Sequence, residues 1–398
     1  MNSASFFTQP DFRVDKLAGL DYACSCGRRH RVPIAHIALG QGALEKIPGI
    51  VKDFSSRNVF LIGDSHTYPL AGERVRALLE SAGCKVQNYV FSRREHYVTD
   101  EAAIGELLVA MPQETDLLIA VGSGTMNDVS RAVSVRCRLP YMIVDTTPSM
   151  DGYASSTSAI ICGDEKRSVP LGSPWGIVMD TDLLVTAPEE MLSSGVGDVL
   201  GKHVTLADWR LAAREGKEHY CAELSDLIEL AVRRCQANYR GVLARDAAAI
   251  GDMADTLVMA GAAISMFGTS RPCAGSEHQL AHVWEVEALG KPGGSPLHGN
   301  FVGFGTIAAI LLYEEAGKEF DFSDLHYTLP NPDEIEAILR QAGSWALKEK
   351  LGVSREEFLG SFEHAARVNA RYTILTYLYE KGCLGRFAET VAARIYGR

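Results

Sequence analysis

An α/β half built on a parallel sheet, followed by an all-α half, is the fold class this sequence predicts. Three observations lead there. Short, unbroken apolar runs alternate with helical segments as far as Asp180. No convincing strand pattern follows Pro188. The chain has 398 residues, more than one core usually serves. The expected division is an α/β domain over residues 1–187 and a helical domain over 188–398.

Residues 36–40 read as a short strand and 43–53 as a short helix. Residues 58–64 (NVFLIGD) form an apolar run of the kind buried on both faces. A helix over 71–82, with Val75, Leu78 and Leu79 on one face, leads to a strand over 85–91; a strand–helix–strand unit of this length implies parallel pairing. The pattern repeats as helix 101–110, strand 116–121, helix 129–135 and strand 141–144. A further extended pair, 159–162 and 176–180, closes this half. Helices are then expected over 197–216, 220–238, 246–261, 277–288, 304–314, 333–342, 355–366 and 374–381, several with Gly or Pro at their ends.

Composition excludes some functions. The apolar fraction of 46% and charged fraction of 22% are ordinary for a globular chain. A net charge of −11 without a basic block argues against nucleic acid, which is bound chiefly through Lys and Arg, but leaves room for a small anionic substrate. No uninterrupted apolar run approaches the ~20 residues that span a bilayer. The polar, acid-bearing start is unlike a signal peptide, and nine scattered cysteines suit reduced thiols, so a cytoplasmic protein is expected. Cys24-Ser25-Cys26-Gly27-Arg28-Arg29-His30 gathers three soft donors. Its Cys-x-Cys spacing and the lack of a fourth ligand nearby favour a local turn with accessible thiols over a structural zinc.

Gly122-Ser123-Gly124-Thr125-Met126-Asn127-Asp128 lies between a buried strand and a helix, where free N–H groups and the helix dipole favour an anion. It is not Gly-x-Gly-x-x-Gly, since Asn127 takes the third position, so a dinucleotide site and a plain tight turn both remain open. Gly63-Asp64 ends an earlier strand, and a carboxylate there suits ribose hydroxyls. Thr146-Thr147-Pro148-Ser149 follows the next strand, a neighbouring place for hydroxyl and backbone donors.

In the second half, His278 and His282 are four residues apart and so share a helix face, and His298 follows a Gly- and Pro-rich loop. Asp198, in Gly197-Asp198, falls in the expected first turn of the first long helix, where the dipole favours an acid. Taken with His278 and His298 it makes a two-histidine, one-carboxylate set that leaves positions open for substrate, as catalytic metals require. Lys202, one turn after Asp198, is a candidate cation for a phosphate, against the reading of a helix-surface lysine.

These segments, together with Asp151-Gly152-Tyr153-Ala154-Ser155 and Glu277-His278…His282…His298-Gly299, resemble the metal-dependent polyol dehydrogenases. That fold is shared by iron-containing alcohol dehydrogenases, glycerol dehydrogenases and dehydroquinate synthases, and the sn-glycerol-1-phosphate dehydrogenase branch is the most similar. Its archaeal members tend to carry Gly-Gly-Gly where this chain has Gly122-Ser123-Gly124. The resemblance implies a Rossmann-like first domain and a metal- and substrate-binding helical domain. It implies one divalent metal (zinc or nickel, with iron an alternative) on Asp198, His278 and His298. NAD(H) or NADP(H) would bind Gly124, Thr125, Met126, Asn127, Asp128, Thr146, Thr147, Pro148, Ser149 and Ser155, with Gly122 and Asp64 alongside. Asp151, Asp198 and His282 would touch the substrate; His282, facing the metal side of its helix, is a candidate proton relay or a substrate hydrogen-bond donor. The implied reaction is metal-assisted reduction of dihydroxyacetone phosphate to sn-glycerol 1-phosphate, in a homodimer. Glycerol or another polyol as substrate, or a dehydroquinate-synthase-like cyclisation, are the rival readings on the same machinery.

Overall fold

The structure, a computed structural model, describes residue 7 and residues 12–54, 57–92, 97–163, 165–288, 291, 296–343, 351–368 and 371–397. Lys291-Pro292-Gly293-Gly294, which the sequence suggests is surface variation in the loop between His278 and His298, lies outside them except for Lys291.

Two short strands, β1 (Asp21–Ala23) and β2 (Arg29–Arg31), form an antiparallel hairpin ahead of the main sheet. That sheet has six strands: β3 (His36–Gly40), β4 (Asn58–Asp64), β5 (Lys85–Phe91), β6 (Leu117–Gly122), β7 (Tyr141–Asp145) and β10 (Gly176–Asp180). All pairs are parallel, in the order β3-β10-β7-β6-β4-β5. Alternate residues feed two cores, as the pleat requires. Phe60, Ile62, Leu118, Ala120, Ile143 and Ile177 face one core, which continues into the helical half. Val59, Leu61, Leu117, Ile119, Met142 and Val178 face the other, closed by Leu44, Ile47, Val75 and Leu79. The chain leaves β4 toward β5 and leaves β6 toward β7, in opposite directions along the sheet. The crevice beyond the carboxyl ends of β4 and β6 is therefore the switch point where such sheets bind ligands.

Several expectations are corrected. Residues 159–162 and 176–180 do not pair. Strand β8 (Thr157–Cys162) pairs antiparallel with β9 (Glu165–Pro170), and β10 inserts between β3 and β7. The sequence of β9, Glu-Lys-Arg-Ser-Val-Pro, has no apolar run to reveal it. The segment 43–53 is a 3₁₀ turn, one α turn and a second 3₁₀ turn, with Pro48-Gly49 interrupting a regular helix. Helices α1 (Glu73–Ser81) and α2 (Glu101–Ala110) are followed by α3 (Gly124–Cys137), which starts inside the glycine loop and not at residue 129.

The helical half is built round α4 (Glu189–Arg214), 26 residues long and buried through most of its length. It is followed by α5 (Ala222–Leu243), α6 (Ala247–Phe267), α7 (Ser276–Ala288), α8 (His298–Ala316), α9 (Pro332–Gln341), α10 (Arg355–Val368), α11 (Ile374–Glu380) and α12 (Leu384–Tyr396). Among the described residues no strand follows Asp180, and α12 is a helix the periodicity did not predict. Helix α6 is long and apolar enough to cross a membrane by composition, yet 83% of its apolar window is buried inside the fold. The N-terminal segment docks on this half. The Val14 N–H donates to Asp255 Oδ1 (2.8 Å), and Arg234 Nη1 donates to the Phe12 carbonyl (2.7 Å).

Close approach sets the geometry around α4. A Cβ on Gly197 would stand 2.1 Å from the Gly299 carbonyl, and one on Gly299 would stand 1.8 Å from the Ser194 carbonyl. A Cβ on Gly195 would meet the Pro148 carbonyl at 2.1 Å. The start of α8 and the loop after β7 therefore press directly on the α4 backbone. Gly299→Ala forces that contact apart and is expected to destabilise the protein by about 2–3 kcal/mol, the usual range for overpacking a rigid backbone contact. A thermal melt checks this: an unchanged transition would mean that the contact yields freely.

Candidate active site

Asp198 lies in the middle of α4, not in its first turn, because the helix already begins at Glu189. The dipole argument for an acid there gives way to a local one. Asp198 is fully buried, Lys202 Nζ sits 2.7 Å from Oδ1, and the Asp151 N–H donates to Oδ2 at 2.8 Å. Burial alone would push this carboxyl up; Lys202, His298 and His278 hold it down at about 2. Lys202 is itself buried and also pairs with Asp151 Oδ2 at 2.7 Å. It is not the surface lysine or free phosphate cation expected: its charge is committed to two carboxylates. Asp151 is pushed up by burial and by the charge of Asp198.

His278 and His298 bring their rings to the same carboxylate. His278 Nε2 is 3.6 Å from Asp198 Oδ1, the two imidazole centroids are 5.2 Å apart, and the donor atoms of Asp198, His278 and His298 all lie within 4.8 Å of one another. Donors about 2.1 Å from a tetrahedral cation stand about 3.4 Å apart, so this set fits a divalent metal. Each imidazole is aimed by a carboxylate that the sequence reading missed. His278 Nδ1 is 2.7 Å from Glu277 Oε1, which also accepts from Thr205 Oγ1 (2.6 Å) and the Gly275 N–H (2.8 Å). His298 Nδ1 is 2.8 Å from Glu285 Oε1, whose Oε2 takes Lys166 Nζ at 2.9 Å. A carboxylate on Nδ1 places the proton there and leaves Nε2 as the ligand atom.

His282 completes a histidine trio, its ring 5.8 Å from His298 and 6.1 Å from His278. Among the described residues, His298 also belongs to a second group of converging donors, with His282 and Glu285. Glu285 is already balanced there by Lys166 and His298, which with neighbouring charges hold it well below its usual range despite burial. That favours the Asp198 set. Burial pushes His278 and His282 well below the usual imidazole value, so both are neutral, whereas Glu285 raises His298 against the effect of burial. The spacing His282-x-x-Glu285 was a readable sign of Glu285; Lys166 lies on the unforeseen β9.

The cofactor segments gather at the switch point. Gly122 ends β6, Ser123 is extended, and α3 starts at Gly124. A Cβ on Gly122 would run into Met126, and one on Gly124 into Met150, so bare backbone N–H groups are presented at the start of a 14-residue helix. Thr125 is only partly buried, with its hydroxyl 3.4 Å from the Tyr97 carbonyl. The side chains of Met126, Asn127 and Asp128 turn inward. Asp128 Oδ1 accepts from Arg131 Nη1 (2.8 Å) and Ser158 Oγ (3.0 Å), and Asn127 Nδ2 donates to it at 3.1 Å. These residues offer a ligand backbone and not side chains. Ser155 Oγ is likewise held in a turn with Thr157, accepting its N–H at 3.0 Å. Asp64 Oδ1 accepts the N–H groups of His66 and Thr67, both at 2.8 Å, which leaves Oδ2 outside that turn.

The segment 146–152 joins the two clusters. Thr146, Thr147, Pro148 and Ser149 are all buried. The Tyr153 hydroxyl donates to the Thr147 carbonyl (2.6 Å), and Ser194 Oγ on α4 donates to the Ser149 carbonyl (3.0 Å) while accepting the Gly299 N–H (3.0 Å). The Thr146 hydroxyl is buried with no partner among the described residues, as a hydroxyl awaiting a ligand would be.

Residues 38–188 match the family described as iron-containing alcohol dehydrogenase. A protein of Bacillus licheniformis named glycerol-1-phosphate dehydrogenase (NAD(P)+) is 30% identical over 373 residues, covering 91% of this chain and 93% of that protein. One of the same name from Methanosarcina barkeri is 31% identical over 341 residues, covering 85% and 89%. The chain belongs to the glycerol-1-phosphate dehydrogenase family. Solved structures share the fold: a glycerol dehydrogenase from Schizosaccharomyces pombe superposes with a TM-score of 0.65 at 18% identity over 91% of each chain. An iron-containing alcohol dehydrogenase from Thermotoga maritima gives 0.66 at 16% identity, covering 93% of this chain and 99% of that one.

Two outcomes are expected for this family member. Glu285→Gln loosens the orientation of His298 and weakens metal retention by about 10–100-fold, the usual effect of removing such a partner. Equilibrium dialysis against a graded chelator measures it. The raised His298 pKa also means that, at pH 6.5 and below, a cation must displace a proton from its imidazole. The fraction of metal binding that His298→Ala abolishes should therefore weaken about tenfold per pH unit below that pKa and level off above it; dialysis across pH reads the slope, and a flat profile would exclude this proton.

Proposed function

We propose that this protein is an oxidoreductase that reduces dihydroxyacetone phosphate to sn-glycerol 1-phosphate with NAD(P)H, at a divalent cation held by Asp198, His278 and His298. One observation carries the reading: the segment 146–152 touches both halves of the machinery. Met150 packs on Gly124 of the anion-receptive loop, and Asp151 donates its N–H to Asp198. Such an arrangement would let a dinucleotide and a substrate held near Asp198 share one cleft.

When bound, the cation supplies Lewis-acid polarisation of the carbonyl and the nicotinamide supplies the hydride. The chain does the rest. Asp198 brings a full negative charge because Lys202 and the Asp151 N–H keep it ionised without water. Glu277 and Glu285 hold both imidazoles in one tautomer and one orientation. His282, kept neutral by burial beside His298, can donate a hydrogen bond to the substrate oxygen, and can relay a proton to it only by taking one from solvent on one ring nitrogen as the other gives its own up. The start of α3 receives a pyrophosphate through backbone N–H groups and the helix dipole. Two nitrogens and an oxygen suit zinc, nickel or iron.

Lys202 being committed, the substrate phosphate needs another cation, and Arg371 is the one we assign. Its carbonyl accepts from Gln279 (3.2 Å), the neighbour of His278, its Nη2 donates to Ser270 Oγ (2.8 Å), and its Nη1 is buried with no partner among the described residues. Burial and the nearby Arg271 lower its pKa to about 10, which leaves it charged at neutral pH.

The decisive assay follows NADH or NADPH oxidation with dihydroxyacetone phosphate. Turnover is expected, with loss on chelation and return on adding Zn²⁺ or Ni²⁺; indifference to chelator would overturn the mechanism. Arg371→Met should raise KM for the phosphorylated substrate by about 10–100-fold, the worth of a charged hydrogen bond, and leave dihydroxyacetone kinetics unchanged.

A further inference from the structure

A second cluster of donors sits where the N-terminal hairpin meets the helical half. Cys24 and Cys26 lie in the connection between β1 and β2, and His30 lies on β2. Their local spacing offers no fourth ligand and suits accessible thiols. The fold supplies one from far along the chain: Cys221, the residue at the N-cap of α5. The sulfurs of Cys24, Cys26 and Cys221 and a ring nitrogen of His30 all lie within 4.8 Å of one another. Cys24, His30 and Cys221 are buried and Cys26 is partly so, which corrects the expectation of accessible thiols.

The separations are those of a coordination shell. Cys24 Sγ and Cys221 Sγ are 3.6 Å apart, and His30 Nε2 is 3.3 Å from Cys221 Sγ and 3.4 Å from Cys26 Sγ. A tetrahedral zinc with Zn–S of about 2.3 Å and Zn–N of about 2.0–2.1 Å places two sulfurs about 3.8 Å apart, and sulfur and nitrogen about 3.6 Å apart. A disulfide needs sulfurs at about 2.05 Å. His30 Nδ1 is 2.9 Å from the Met266 carbonyl, an acceptor, so Nδ1 bears the proton and Nε2 turns a lone pair toward the three sulfurs. The Cys26 N–H donates to Cys24 Sγ (3.4 Å), and Cys221 stands at the start of a 22-residue helix, where the dipole favours a thiolate.

We propose that Cys24, Cys26, His30 and Cys221 bind a structural zinc ion that staples the N-terminal hairpin to α5 and α6. The donor set is closed, with four protein ligands and no position for substrate, and it is soft where the Asp198 set is hard. A three-residue-per-strand hairpin gains little from its own ladder, so a cation linking it to two long helices would fix its place.

The test uses the full-length protein, stripped of metal and reloaded with Co²⁺. Thiolate coordination gives an intense near-ultraviolet charge-transfer absorption that an Asp-His-His site cannot give. The band is expected in the unsubstituted protein and in His298→Ala, and it should vanish in Cys26→Ser/Cys221→Ser together with one equivalent of zinc by elemental analysis. In the His298→Ala protein, chelator should still lower the melting temperature and expose three further thiols to a thiol reagent. This arm needs no cysteine variant to fold and is independent of the proposed catalytic metal. Absence of the band from the cobalt-loaded unsubstituted protein, its survival in the double variant, or a Cys24–Cys221 disulfide found by mass spectrometry would each overturn the proposal.

Discussion

A negative charge on a fully buried residue in the middle of a long helix is the constraint on which the site depends. Asp198 has no water to solvate it. An isolated carboxylate in such a place would take up a proton. It stays ionised because an ammonium one turn away, a backbone N–H from another segment and two imidazoles surround it. Each requires an element in a fixed place: Lys202 on the same helix, Asp151 beyond β7, His278 on α7 and His298 at the first turn of α8. The charge that would hold a metal is thus also the point at which sheet and helices must meet.

Glycine makes that meeting possible. Gly195, Gly197 and Gly299 place carbonyl oxygens where side chains would otherwise stand, so three backbones converge on one stretch of α4. The segment 146–152 is pressed into this junction and reaches the glycine loop at its other end. The proposed cofactor and metal positions would then be coupled through backbone contacts at the α4 junction, the Met150 side chain on Gly124 and the Asp151 N–H on Asp198. A hydride transfer needs its partners about 3–3.5 Å apart and held there to a fraction of an ångström, and backbone packing of this kind supplies the required stiffness.

What could be read from the sequence follows the same physics. Strands β3, β4 and β5 were legible to the residue because apolar runs or alternation mark them. The start of α4 was not, since Ser193-Ser194-Gly195-Val196-Gly197 is a poor helix former whose residues serve close packing instead. Strand β9 is a polar, partly exposed hairpin strand with no periodic signal. Of the site, the three histidines and Asp198 stood out by residue type and spacing. Glu277 and Glu285 look like ordinary helix acids until their partners are known. Lys202 was misjudged because i, i+4 spacing from Asp198 was visible while the burial of both was not. Cys221 shows the limit most plainly: a ligand 191 residues from His30 leaves no local pattern.

The distribution of cations carries the argument one step further. The chain has an excess of acids, 50 against 39 bases, and among the described residues four bases round the cleft are paired with carboxylates. Lys202 answers Asp198 and Asp151, Lys166 answers Glu285, Arg131 answers Asp128, and Arg271 answers Glu218. On the proposed reading, a phosphorylated substrate would therefore meet no general positive field among the described residues. Its recognition would then rest on few contacts, with the buried Nη1 of Arg371, unpartnered among the described residues, foremost. A site organised in this way would select by one directed hydrogen-bonding cation. Screening by salt would weaken that contact less than it weakens steering at a surface, because Nη1 is buried. Discrimination between phosphorylated and plain polyols would then persist at ionic strengths that abolish long-range attraction.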